Sequence, residues 1–99
     1  MAWTVDDIPS QEGRLALVTG ANSGLGLETV RALAAKQATV VLACRSRQKA
    51  EAARTQLLEQ GLTGLDLLEL DLADLTSVQR AITSFADRYG HLDLLINNA

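Results

Sequence analysis

The sequence predicts an α/β fold, a three-layer sandwich built on the first half of a doubly wound parallel sheet. Three observations point there. Strand-length apolar runs alternate with amphipathic segments of helix length, the pattern of βαβ units. The apolar runs carry Val, Leu and Ile on both faces, as strands covered on both sides do. Finally, 99 residues that are 47% hydrophobic and 21% charged suffice for one small domain and are too apolar for a disordered chain.

A leader with Trp3 and Ile8-Pro9 is expected over 1–12, and the domain proper over 13–99. The first strand is predicted at 14–19 and runs into a glycine turn. The first helix then begins near Gly24 and ends by Lys36, with Leu27, Val30 and Ala34 toward the sheet and Glu28, Arg31 and Lys36 on its polar face. A second strand at 39–44 leads to Ser46, the expected N-cap of a helix reaching Gln60. That helix should turn Ala50, Ala53 and Leu57 inward and Arg47, Lys49, Glu51 and Arg54 to water, with Gly61 as its stop. After a third strand at 65–70, Asp74 is the expected N-cap of a helix in which Leu75, Val78, Ile82, Phe85 and Tyr89 recur at helical spacing before Gly90. The fourth strand is predicted at 92–97. Right-handed crossovers then give the strand order 3-2-1-4, with the first two helices on one face and the third alone on the other. Such a sheet is incomplete: apolar strand surface stays uncovered, which calls for further sequence or a partner.

Composition excludes several classes. Net charge is -3, and the basic residues form no cluster longer than the Arg45, Arg47, Lys49 alternation, so no nucleic-acid partner is expected. A single cysteine, Cys44, excludes an internal disulfide, and the N-terminus lacks the basic-then-apolar order of a secretory signal. A cytoplasmic location is the expectation. No apolar run approaches the roughly 20 residues that cross a bilayer, so no transmembrane segment is expected.

The candidate binding site lies where the first strand meets the first helix. A dinucleotide pyrophosphate needs helix N-terminal N–H groups and close approach without intervening side chains, and Gly20, Gly24 and Gly26 meet that need, with Asn22, Ser23 and Leu25 of the same turn as further candidate binding residues. Their spacing is G-x-x-x-G-x-G rather than G-x-G-x-x-G. The plainer alternative is that the glycines serve only turn and packing. Cofactor choice follows from charge at the end of the second strand, where an acid would hold the NAD ribose and repel the 2′-phosphate of NADP. No Asp or Glu lies between Glu28 and Glu51, and Arg45 stands about twenty residues past the turn. Its guanidinium suits a phosphate, so NADP (NADPH) is favoured over NAD. The alternative is a solvated helix-start arginine.

Other tempting residues carry less. Cys44 ends an apolar strand and is expected to behave as a small buried hydrophobe. His91 has no second ligand at metal spacing, and no metal site is expected. Asp6-Asp7 falls in the leader, and Asp74 is better explained as a cap than as an acid-base partner of Asp71.

Three ordered motifs carry a resemblance: Thr19-Gly20 through Gly24-Leu25-Gly26, Leu70-Asp71-Leu72, and Asn97-Asn98-Ala99. With them the chain resembles the short-chain dehydrogenases/reductases over 12–99, and Ala21 through Gly26 followed by Ala43-Cys44-Arg45 looks like the retinol-dehydrogenase and protochlorophyllide-reductase neighbourhood. The resemblance implies a Rossmann-type dinucleotide-binding domain. Asp71 would bond the adenine amino group, Leu72 would border the adenine, and backbone groups of Asn97 to Ala99 would approach the adenosine ribose. In many NADP-using members a basic residue precedes the second motif glycine; here it is Ser23, so the preference rests on Arg45, with Ser46 and Arg47 nearby. The parent protein would be an oxidoreductase acting on a small carbonyl, alcohol or enone, and a homo-oligomer whose contact helices lie further on. The family's catalytic Ser, Tyr and Lys follow its Asn-Asn-Ala-Gly motif, so no catalytic residue is expected here. Tyr89 has Asp93, not lysine, four residues later and reads as a core or boundary residue. The chain alone is expected to be inactive. A non-catalytic nucleotide-sensing module and a truncated fragment remain alternatives.

Overall fold

The computed structural model describes residues 12–21 and 24–97. They form β1 (Leu15–Thr19), α1 (Gly24–Ala35), β2 (Thr39–Cys44), α2 (Arg47–Glu59), β3 (Leu65–Glu69), α3 (Leu75–Arg88) and β4 (Leu94–Ile96). The strands make one sheet in the order β3-β2-β1-β4, every pair parallel, as predicted. All but the last residue of the expected leader, together with Asn22, Ser23, Asn98 and Ala99, lies outside the described residues.

Alternation along the strands divides the core in two. Ala16, Val18, Val40, Leu42, Cys44 and Leu67 meet Val30, Leu33 and Ala34 of α1 and Ala50, Ala53 and Leu57 of α2 on one face. On the other, Leu15, Val41, Ala43 and Leu68 meet α3 through Ala81, with Leu17, Leu70, Phe85 and Tyr89 packed around them. β2 has a strand on each side and a helix layer on each face, so Val40 through Cys44 are all buried. Full burial of a Val or Leu side chain such as Val40 or Leu42 contributes ~1.5–3 kcal/mol.

Caps set most helix ends. Ser46 Oγ accepts from Lys49 N–H at 3.3 Å and starts α2. Asp74 Oδ1 accepts from the N–H groups of Thr76 at 2.9 Å and Ser77 at 3.4 Å and starts α3. α1 stops at Ala35, before the predicted Lys36, because its last carbonyls are already engaged: Gln37 N–H donates to Ala34 C=O at 3.0 Å and Ala38 N–H to Leu33 C=O at 3.1 Å.

Several expected bounds need correction: β1 begins at Leu15 rather than 14, and β3 ends at Glu69 rather than 70. β4 covers Leu94–Ile96 rather than 92–97, since its pairing with β1 spans only Ala16 to Val18. Tyr89 caps α3 instead of belonging to it. The apolar stripe of α3 is only partly covered: Ala81 is its buried residue, while Leu75 is 71% and Ile82 63% exposed. The cause is that, among the described residues, α3 is the lone helix on that face. Beside it an apolar trough of about 380 Å³ runs between α3 and β1 and β4, with Leu95 62% exposed, the uncovered surface that the topology predicts.

Candidate functional site

Parallel pairing brings the carboxyl ends of the strands to one side of the sheet. Thr19 lies opposite Ala43, Cys44 opposite Glu69, and Val18 opposite Ile96. The residues that follow therefore gather there: Gly20 after β1, Arg45 after β2, Leu70 and Asp71 after β3, Asn97 after β4. The chain steps outward from β1 through β2 to β3 and returns to β4 on the other side of β1, and open sheets bind ligands at such a reversal.

The glycine turn is built for close approach. Gly20 N–H donates to Ala43 C=O at 3.0 Å, which ties the start of the turn to β2. Gly20 and Gly24 hold φ of 60° and 57°, a conformation that costs other residues ~1–2 kcal/mol. A Cβ on Gly26 would lie 2.1 Å from Gly20 C=O, so only glycine lets α1 pack against the turn. A Cβ on Gly24 would meet nothing within 4 Å and would stand in the open space before the helix. The first N–H groups of α1 have no partner within the helix and carry its positive dipole end, a ready anion site. Leu25, in that first turn, is 73% exposed. The described part of the turn fits a pyrophosphate; Asn22 and Ser23 fall outside it.

Thr19 is 5% exposed, and its hydroxyl donates to Asn97 Oδ1 at 2.9 Å. That bond fixes the glycine turn relative to the end of β4. The sequence suggested both residues as motif members without suggesting their contact, which only parallel pairing of β1 with β4 produces.

Arg45 and Asp71 line one polar groove of about 400 Å³, together with Arg47, Asp74, Ser77 and Arg80. Arg45 is exposed and forms no ion pair among the described residues. Arg47, by contrast, pairs with Glu51 at 3.0 Å along α2. Asp71 is held at both ends: its N–H donates to Ser77 Oγ at 2.9 Å, and its Oδ1 accepts from Ala73 N–H at 3.0 Å. Oδ2 carries no hydrogen bond among the described residues. Leu72 instead lines the apolar trough with Thr19 and Asn97, so the candidate residues fall on two sides of the start of α3.

Of the residues set aside on sequence, Cys44 and Asp74 lie at this edge, as the last residue of β2 and the N-cap of α3, whereas Tyr89 and His91 lie away from it. Cys44 is buried. Tyr89 packs on Phe85 with ring centroids 4.9 Å apart, and its hydroxyl donates to Asp66. Burial, with the Asp66 bond and charge beside it, pushes the Tyr89 hydroxyl up to about 12 against a smaller opposing effect of Arg88. At the amino end of the sheet, Asp93 Oδ2 accepts from Leu15 N–H at 2.8 Å and contacts His91 Nε2 at 3.1 Å. The Leu15 N–H first, then the charges of His91 and Arg14, hold the Asp93 carboxyl below its usual range despite a smaller effect of burial. No group of three metal-ligating side chains, and no helix long and apolar enough to cross a membrane, occurs among the described residues.

Comparison with known proteins agrees with this geometry. A family model described as short chain dehydrogenase matches residues 14–99. A short-chain dehydrogenase/reductase of Armillaria gallica is 47% identical over 97 residues, covering 98% of this chain and 31% of that protein. The human dehydrogenase/reductase SDR family member 13 is 49% identical over 88 residues, covering 88% of this chain and 23% of that protein. The crystal structure of the N-domain of a bacterial malonyl-CoA reductase with NADP superimposes with a TM-score of 0.86 at 36% identity, over 93% of this chain and 17% of that one. The chain thus spans less than a third of the length of these relatives. With the glycine turn, the strand order and the matched residues in agreement, the chain belongs to the short chain dehydrogenase family.

Proposed function

We propose that this chain is the cofactor-binding, N-terminal portion of an NADP-dependent oxidoreductase that moves hydride between nicotinamide and a small carbonyl, alcohol or conjugated double bond. The carrying observation is that Arg45, exposed just after β2, shares a groove with Asp71, just after β3, at the same carboxyl edge of the sheet from which the glycine turn leaves β1. Gly20 to Gly26 would hold the pyrophosphate, Arg45 the 2′-phosphate, Asp71 and Leu72 the adenine, and Asn97 to Ala99 the adenosine ribose. Bound NADPH supplies the hydride; these residues bind and orient it. The catalytic Ser, Tyr and Lys are proposed to lie in the part of the protein that the relatives carry beyond this portion. The NADP in the malonyl-CoA reductase structure supports the same cofactor here. A cytoplasmic site of action accords with a single, buried thiol.

Calorimetric titration with NADPH and NADH tests the cofactor assignment. Arg45→Asp is expected to weaken NADPH at least tenfold while changing NADH little, a difference of ~1.4 kcal/mol or more. Equal loss of both cofactors would remove Arg45 from the phosphate site.

A further inference from the structure

Among the described residues strand β3 ends the sheet on one side, and a free edge of this kind is a template for pairing with another chain. Backbone groups along it alternate between facing β2 and facing outward. Gly64 C=O accepts from Val40 N–H at 2.8 Å, and Leu70 N–H donates to Cys44 C=O at 2.9 Å. The even-numbered residues between them therefore face β2, and Leu65, Leu67 and Glu69 face outward. Leu67 is the middle residue of the strand.

Both outward groups of Leu67 are taken by side chains. Its N–H donates to Asp66 Oδ1 at 2.8 Å, and its C=O accepts from Arg88 Nη1 at 3.0 Å. The two side chains are joined in turn: Arg88 Nη1 reaches Asp66 Oδ2 at 3.0 Å, and the Tyr89 hydroxyl donates to the same oxygen. Arg88 Nη2 is steadied by Ser84 Oγ at 3.2 Å. Burial alone would push the Asp66 carboxyl up, but the bonds from Tyr89 and Leu67 N–H and the Arg88 charge outweigh it and hold it below its usual range. A half-exposed ion pair adds little stability. What sets this one apart is where its ends land, on the two backbone groups that an added strand needs for its central rung.

We infer that Asp66, Arg88 and Tyr89 form a guard that closes the outer edge of β3 to strand addition by a second copy of this chain. An incoming strand would have to break both bonds to Leu67 and face a charged carboxylate and guanidinium. Arg88 and Tyr89 stand at the end of α3 while Asp66 belongs to the sheet, so the guard assembles only once α3 has docked. It protects the folded state and leaves the unfolded chain unprotected.

Sedimentation velocity of the full chain with Asp66→Ala and Arg88→Ala together tests the guard, with far-ultraviolet circular dichroism to compare the folded fraction. The double variant is expected to self-associate about tenfold more strongly than the unchanged chain, equivalent to ~1.4 kcal/mol. Adding Glu69→Pro should reverse the gain, because proline lacks an N–H and is tolerated on an edge strand. A double variant that associates no more than the unchanged chain overturns the inference. Association that Glu69→Pro leaves in place also overturns it, since the contact would then lie elsewhere, as in the apolar trough beside α3.

Discussion

The Thr19 hydroxyl donates to Asn97 Oδ1 at 2.9 Å and so couples the end of β1, where the glycine turn begins, to the end of β4. Thr19 is buried and Asn97 exposed, so Thr19→Val removes the donor while water can reach the oxygen left behind. The expected loss is ~0.5–1.5 kcal/mol in urea unfolding. NADPH affinity of the full-length protein should fall with it. An unchanged unfolding midpoint would show that the bond contributes nothing to coupling the two strand ends.

The glycines of the turn should separate into two kinds. Gly26→Ala drives a Cβ to 2.1 Å from the backbone oxygen of Gly20, where neither partner has a flexible end to move, and is expected to cost about 3 kcal/mol or more. Gly24→Ala meets no neighbour and should cost only the ~1–2 kcal/mol of its positive φ. Thermal melts of the two variants check the order; a milder effect for Gly26→Ala would contradict the close approach of α1 to the turn.

Gln37 holds φ at 73° in the turn that closes α1, a place where glycine is the favoured residue. Gln37→Gly relieves that strain while leaving the Gln37 and Ala38 N–H bonds to Ala34 and Leu33 in place. A gain of about 1 kcal/mol is expected from relief of the left-handed strain, partly offset by the greater freedom of glycine in the unfolded chain. Chemical denaturation measures it, and a loss of stability would mean that the Gln37 side chain contributes more than its backbone costs.

Stability should fall at both ends of the pH range. Tyr89 is raised from 10.0 to about 12 in the folded chain, so the folded state holds its proton more tightly. Its contribution is fully present below pH 10 and fades as pH rises through about 12. Asp66 and Asp93 are lowered from 3.8, so their contribution is present above that value and fades as pH drops below it. Tyr89→Phe should flatten the alkaline limb and also weaken the Asp66 part of the acid limb, since its hydroxyl bond helps hold that carboxyl down, while Asp93→Asn should weaken the acid limb only. Melting temperature against pH reads both; an alkaline limb unchanged by Tyr89→Phe would assign it to another group.

Much of this fold was legible because its signals are local. Ser46 and Asp74 cap helices through bonds to residues two or three positions on, and Ala50, Ala53 and Leu57 turn inward at helical spacing. Strand order followed from crossover handedness. Less legible were the features that depend on what lies across a gap in sequence. Helical spacing places Leu75 and Ile82 on the apolar stripe of α3, yet a stripe says nothing about whether a neighbour exists to cover it. The helix end at Ala35 falls within the expected limit of Lys36, but the turn that closes it was not legible, because Gln37 adopts a glycine-like φ that its residue type does not announce.

Sequence alone determined the α/β architecture, the family resemblance and the candidate cofactor residues, since glycine spacing, helix caps and strand patterning are written in residues close along the chain. Tertiary structure decided which distant groups meet. It joined Thr19 to Asn97 across β1 and β4, set Arg45 and Asp71 in one groove, and closed the edge of β3 with Arg88 and Tyr89 from the end of α3. Each of these arrangements joins residues more than twenty positions apart, which come near one another only where packing first brings their elements together.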